Sequence, residues 1–135
     1  FGEPSKDLLN RFEKVAWIDA RLNARTAPGK TASEIFSSIQ ADYADAGFPN
    51  EWTLHHQGGP TGYQGRSWIA NPTLNEPVLD HQAYAWNPSI TGAKCEDTIA
   101  VTANGIEFLS KPVRWESIAV ETDSSVIRRA GLQRL

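Results

Sequence analysis

The stretch Leu54-His55-His56-Gln57-Gly58-Gly59-Pro60-Thr61-Gly62-Tyr63-Gln64-Gly65-Arg66 divides the chain into a helical first part and a strand-rich second part. Upstream, apolar residues recur every three to four positions. Downstream, β-branched and aromatic residues gather in short runs between turn residues. The stretch itself holds two of the three histidines among five glycine and proline residues. Gly and Pro at that density fix a particular backbone path and let other groups come close to it. A histidine held on such a path can be aimed, as a metal site or an acid/base site requires.

Working upstream, the spacing predicts a long amphipathic helix from Pro4 to about Ala27. Leu8, Phe12, Val15, Ile18 or Asp19, and Leu22 follow one buried stripe. Ser5 or Pro4 can open it and Pro28-Gly29 closes it. Thr31-Ala32-Ser33-Glu34 is a capping-box pattern, and the helix it opens carries Ile35, Phe36, Ile39 and Tyr43 inward before ending near Gly47. Two helices joined by a short Pro-Gly turn are expected to pack as an antiparallel pair.

Working downstream, Thr53 to Gln57, Ser67 to Ala70 and Gln82 to Asn87 lean towards strand, with loops at Asn71-Pro72 and Asn75-Glu76-Pro77. Thr98 to Thr102 and Ile106 to Leu109 flank Ala103-Asn104-Gly105, the strongest hairpin signal in the chain. Ser124 to Leu135 is expected to form a last short helix, with Arg128, Arg129 and Arg134 towards its C-terminus. Helices first and antiparallel strands afterwards is an α+β order.

The length of 135 residues suits one domain with a real core, and the composition, 40% hydrophobic and 21% charged, is that of an ordinary globular protein. A net charge of −3 with mixed signs argues against a nucleic-acid footprint. No apolar run approaches the roughly 20 residues needed to span a bilayer, so no membrane partner is expected. The lone Cys95 cannot form an internal disulfide, and its default reading is a packing residue in a reducing, cytoplasmic compartment. The absence of methionine, including at position 1, predicts a processed or excised piece of a longer product.

The residues able to carry chemistry are His55, His56, Arg66, His81, Asn87, Glu96 and Asp97. In an extended strand neighbours point to opposite faces, so His55 and His56 are not expected to share a site, and Glu96 and Asp97 are divided in the same way. One histidine and one acid from separate strands can still converge. The plain alternative is a hydrogen-bonded loop histidine and a surface acid beside a hairpin. Arg66, charged at any accessible pH, suits carboxylate recognition rather than proton transfer, or simply pairs with an acid at the rim. Asn87 suits a turn before Pro88 equally well.

Four segments in order sharpen the reading: Pro28-Gly29; His55 with Gly58 and Gly62; Asn87-Pro88-Ser89; and Glu96-Asp97 ahead of Asn104-Gly105. In this order they resemble the C-terminal half of the pita-bread superfamily, which holds methionyl aminopeptidase, proline-specific aminopeptidases, prolidase and creatinase. The opening Phe1-Gly2-Glu3-Pro4-Ser5 looks like the segment that begins the long helix of proline-specific members. The resemblance implies half of a pita-bread fold, two antiparallel N-terminal helices packed on a curved antiparallel sheet, as the C-terminal part of a larger catalytic domain. It also implies His55 as the metal-binding histidine, because glycine falls at both family offsets from it. Glu96 then matches the final bridging glutamate, and His56 faces away or supports from behind. His81 matches nothing and reads as a surface residue.

The departures matter as much. Peptidase members hold two divalent metals with two Asp, one His and two Glu, whose charges offset those of the ions. Neither Asp is matched here, Asn87 stands at the first Glu position, and Arg66 stands where peptidases have a second histidine. Gly65-Arg66 looks instead like the pair in creatinase, which cleaves a C–N bond without metal. Three functions follow from the resemblance. One is a proline-type metallopeptidase fragment with a degenerate site (His55, Asn87 and Glu96 towards Mn, Co or Zn in the full-length parent). A second is a metal-free hydrolase with His55 as base and Arg66 gripping a carboxylate; the third is a non-catalytic peptide- or protein-binding module. The expected partners are a small peptide or small amide substrate, the missing N-terminal half and, through exposed apolar surface, a second copy in a homodimer. The chain alone is expected to be inactive.

Overall fold

A computed structural model describes residues 2–133. Helix α1 spans Lys6–Arg25 and helix α2 spans Ala32–Asp45. Ser5 opens α1 by accepting the Leu8 N–H at 3.1 Å, which satisfies one of the donors left free in a first turn. Val15, Ile18 and Leu22 of the expected stripe are wholly buried. Thr26 ends the helix in extended conformation, its N–H on the Asn23 carbonyl and its hydroxyl on that of Leu22. The capping box forms as the sequence leads one to expect: Thr31 accepts from the Glu34 N–H at 3.2 Å, and the Glu34 carboxylate accepts from the Thr31 N–H at 2.8 Å. Both ends of the connection are therefore closed, and the two helices pack as a pair.

The strands are β1 (Gly58–Gly62), β2 (Gly65–Arg66), β3 (Gln82–Trp86), β4 (Ser89–Ile90), β5 (Ala93–Lys94), β6 (Asp97–Thr102), β7 (Gly105–Phe108), β8 (Ser117–Glu121) and β9 (Val126–Ala130). The main sheet runs β2-β1-β3-β6-β7 with every pairing antiparallel; β4-β5 and β8-β9 are separate two-stranded ribbons. Two helices and an antiparallel sheet give the α+β class expected. Tyr84 and Trp86, both fully buried, stack with ring centres 5.9 Å apart. The Trp86 indole N–H donates to the Thr26 hydroxyl at 2.9 Å, tying the sheet to the end of α1. No helix among the described residues is long and apolar enough to cross a membrane.

Three local expectations are corrected. Thr53 to Gln57 is not a strand: Glu51–Thr53 forms a single 3-10 turn, held by the Thr53 hydroxyl on the Asn50 carbonyl and by the Glu51 carboxylate on Thr91. The strand lies further on, at Gly58–Gly62, in residues of low strand propensity. Close packing explains them. A Cβ on Gly58 would sit 2.3 Å from the Ala85 carbonyl oxygen, and one on Gly59 would sit 2.2 Å from that of Trp68. Ser67 to Ala70 is likewise no strand. It returns along β1 through two bonds, Ser67 N–H to the Pro60 carbonyl and Ala70 N–H to that of Gly58, and lays Trp68 over Gly59.

The third correction is the C-terminus, where the described part of the expected helix, Ser124 to Gln133, forms none. Val126 and Arg128 are exposed while Ile127 and Arg129 are buried, a period of two rather than 3.6. The Thr122–Ser125 turn folds β9 back on β8, and Ile127 and Val120 then pack on Ala20 of α1. Arg129 therefore does not serve a helix end; it enters the core to meet Asp19 and Asp97. Arg134, also assigned to that helix, lies outside the described residues.

Candidate functional site

Because the segment before β1 is not a strand, the premise that kept the two neighbouring histidines apart fails. The rings of His55 and His56 stack at 4.5 Å between centres, 29° from parallel. His55 Nδ1 lies 2.6 Å from the His56 carbonyl oxygen, which requires that nitrogen to carry the proton. The path beneath is held by Gln57, which is fully buried. Its amide donates to the carbonyls of Trp52 and His55, and its Oε1 lies 3.1 Å from the Tyr43 hydroxyl. That hydroxyl accepts the Ser89 N–H at 2.8 Å, so α2, the histidine segment and β4 are braced on one tyrosine. Burial pushes the Tyr43 phenol up to about 12, which keeps it a neutral hydrogen-bonding brace.

The sheet register brings three more of the expected residues into one row. Gly58 pairs with Trp86 and Trp86 with Asp97. One step further, Gln57, Asn87 and Glu96 lie abreast, and the Asn87 N–H donates to the Gln57 carbonyl at 3.1 Å. Asn87 is buried and its Oδ1 has no partner among the described residues. Arg66 sits opposite Thr61, to whose hydroxyl it donates at 3.3 Å, and reaches Glu96 with its other terminal nitrogen at 3.0 Å.

Glu96 is thereby held from two sides, by Arg66 and by the Lys94 ammonium at 3.1 Å. Burial works to raise its carboxyl, but the hydrogen bonds and charge of Lys94 and Arg66 outweigh it and hold Glu96 below the usual carboxylate range. The same cluster acts on His56. Partial burial first, then the charges of His55, Arg66 and Lys94, lower its pKa against the opposing pull of Glu96. His56 is thus a neutral imidazole at neutral pH beside two cations and an acid. Sequence reasoning missed Lys94, although two residues apart on an extended chain is the spacing that puts it on the same side as Glu96. It likewise assigned His56 no direct part. His81 is exposed, at φ 57°, and pairs with Asp80 away from this cluster.

Asp97 turns the other way from Glu96, as strand alternation requires, and meets Arg129 at 2.6 Å and the Ser110 hydroxyl at 2.6 Å. The residues present do not suit a divalent metal. The carboxylate expected to bridge two ions already faces two cations and Asn87 is neutral, while His55, with its Nδ1–H on a carbonyl, keeps only Nε2 as a donor to an ion. Among the described residues no group of three or more His, Cys, Asp or Glu is placed to hold an ion. Chemically, the cluster can hold a neutral imidazole against a compensated carboxylate and a guanidinium.

No family model matches the chain. It is 25% identical over 119 residues to a Xaa-Pro dipeptidase of Pyrococcus furiosus and 28% identical over 119 residues to one of Pyrococcus horikoshii. An uncharacterized peptidase of Staphylococcus epidermidis is 27% identical over 117 residues. These matches cover 82–84% of this chain but only 33–34% of the relatives, so the chain spans about a third of their length. Among solved structures, the prolidase of Pyrococcus furiosus superposes with a TM-score of 0.72 at 21% identity over 84% of this chain and 35% of its own. The prolidase of Pyrococcus horikoshii gives 0.73 at 24% identity over 84% and 34%. In sequence and in fold, the chain is homologous to the Xaa-Pro dipeptidases, the prolidases of the pita-bread superfamily.

Proposed function

We propose that the chain is the C-terminal catalytic-domain portion of a Xaa-Pro peptidase-like amide hydrolase whose metal site has degenerated. The observation that carries this reading is the state of Glu96: the charge that two dications would neutralise is met instead by Arg66 and Lys94. A metal placed against that carboxylate would meet two cations at close range in a partly desolvated site, which opposes binding. The remaining ligands of the family's site, with a larger part of the same domain, would come from a segment this chain does not contain.

The test is hydrolysis of Xaa-Pro dipeptides by residues 1–135 with Mn, Co or Zn added in turn. No turnover above the metal-only control is expected. Efficient metal-stimulated hydrolysis would overturn the proposal.

A second reading is favoured by Arg66 and by the neutral His56 beside it. In a creatinase-like, metal-independent hydrolase the imidazole pair of His55 and His56 would supply the base and Arg66 would orient a carboxylate-bearing small amide. It requires turnover of such an amide by the parent protein that is unchanged by EDTA. Binding of a peptide without turnover would point to a non-catalytic module instead.

A further inference from the structure

A cavity of about 760 Å³ lies away from the histidine cluster and shares none of its residues. Its two sides are strands β7 and β9, and its floor is the end of α1 with Ala24, Ala27 and Pro28. Among the described residues β7 pairs only with β6 and β9 only with β8, so each is an edge strand there. The registers tell which backbone groups are free. The Leu109 N–H bonds to Thr98, so by antiparallel alternation Ile106 and Phe108 turn their N–H and C=O away from β6. The Thr122 N–H bonds to Ser125 and the Gly131 N–H to Glu116, so Val126, Arg128 and Ala130 turn theirs away from β8. Two rows of unpaired backbone donors and acceptors therefore border one cavity.

We propose that this cavity is a binding site for an extended peptide segment that inserts between β7 and β9 and joins the two sheets into one. The chemistry of the walls specifies its sequence. Ile106, Phe108 and Ile127 offer an apolar interior side, so alternate residues of the peptide are apolar. On the other side, among the described residues, Arg128 bonds only to the Ser117 hydroxyl at 3.3 Å, and Lys111 stands 3.6 Å from exposed Glu107. Arg128 has no acidic partner among the described residues, so the intervening peptide residues are acidic. Arg129 also lines the cavity but is consumed by Asp19 and Asp97, so it does not compete for the ligand. An edge of this kind left bare invites pairing.

The probe is a synthetic peptide of alternating glutamate and valine, about five residues long to match a strand. Amide hydrogen exchange of the full chain, read residue by residue, is measured with and without it. The peptide is expected to slow exchange at Ile106, Phe108, Val126 and Arg128, leaving Gln57 and Thr61 unchanged. An analogue N-methylated at alternate residues should fail to do so. Arg128→Glu, on an exposed strand position, should weaken binding by about threefold to tenfold. Unchanged exchange at the four amides, equal binding of the methylated analogue, or protection confined to β2 would each overturn the proposal. So would protection already present in the free chain that grows with its concentration, since a second copy would then be the occupant.

Discussion

The ion pair that Arg129 makes with Asp19 is costly to bury, since Asp19 is wholly buried and Arg129 nearly so. The Arg129 Nε lies 2.5 Å from the Asp19 carboxylate. Burial pushes Asp19 up to about 7; Arg129 and the Asn23 amide pull against it, and Asp97 adds to the rise. Buried Cys95 is the remaining titratable neighbour, its thiol pushed up to about 12 by burial. A folded pKa raised above the unfolded value of 3.8 makes this group's contribution to stability complete below about pH 4 and lost as the pH rises through about 7. Urea unfolding of Asp19→Asn is therefore expected to show a flatter fall in stability over that window than the parent chain; parallel curves would contradict the assignment. Removing the cation should do the reverse. Arg129→Leu is expected to cost about 3 kcal/mol or more at pH 8, where a buried charge is left unpaired, and less at pH 5, where Asp19 takes up a proton. Neither residue was legible in this role. Asp19 falls on the apolar stripe of α1 and Arg129 in a run of cations, and nothing in either pattern links positions so far apart in the chain.

Elements were legible where local chemistry decides them and obscure where packing does. The helix pair followed from apolar spacing and from the Thr31–Glu34 capping box, so Thr31→Ala should cost about 1 kcal/mol in thermal or urea unfolding. β3 and the β6–β7 hairpin were read from β-branched and aromatic runs around Asn104-Gly105. β1 was missed because its glycines carry no strand propensity; they are there for the Ala85 carbonyl and for Trp68. Gly59→Ala is accordingly expected to destabilise the chain by about 1–3 kcal/mol, through the displacement of Trp68 from the sheet. A loss well under 1 kcal/mol in the same assay would show that Trp68 can move freely. The C-terminal hairpin was misread because Ser124 to Leu135 is too short to separate periods of two and 3.6 by eye, and the buried alternation of Ile127 and Arg129 depends on α1 being present. The stacking of His55 and His56 was hidden because strand alternation was assumed where the chain bends ahead of β1.

Taken as a whole, the chain has a helix pair and antiparallel sheet like those of the prolidases it matches over about a third of their length, with a cluster of His56, Arg66, Asn87, Lys94 and Glu96 on that sheet. Much of that cluster was readable in advance: Arg66, Asn87 and Glu96 were named from motif order, while Lys94 and the near approach of His56 needed coordinates. On the proposed reading, a metal is opposed above all by the partners of one carboxylate, Arg66 and Lys94 on Glu96. Calorimetric titration of residues 1–135 with Mn, Co and Zn, alongside Glu96→Gln, tests that point most directly. The expected result is no saturable binding in the micromolar range by the parent chain, and no difference between it and the variant. Stoichiometric micromolar binding that disappears in Glu96→Gln would contradict it, since Glu96 would then be answering to a metal rather than to Arg66 and Lys94.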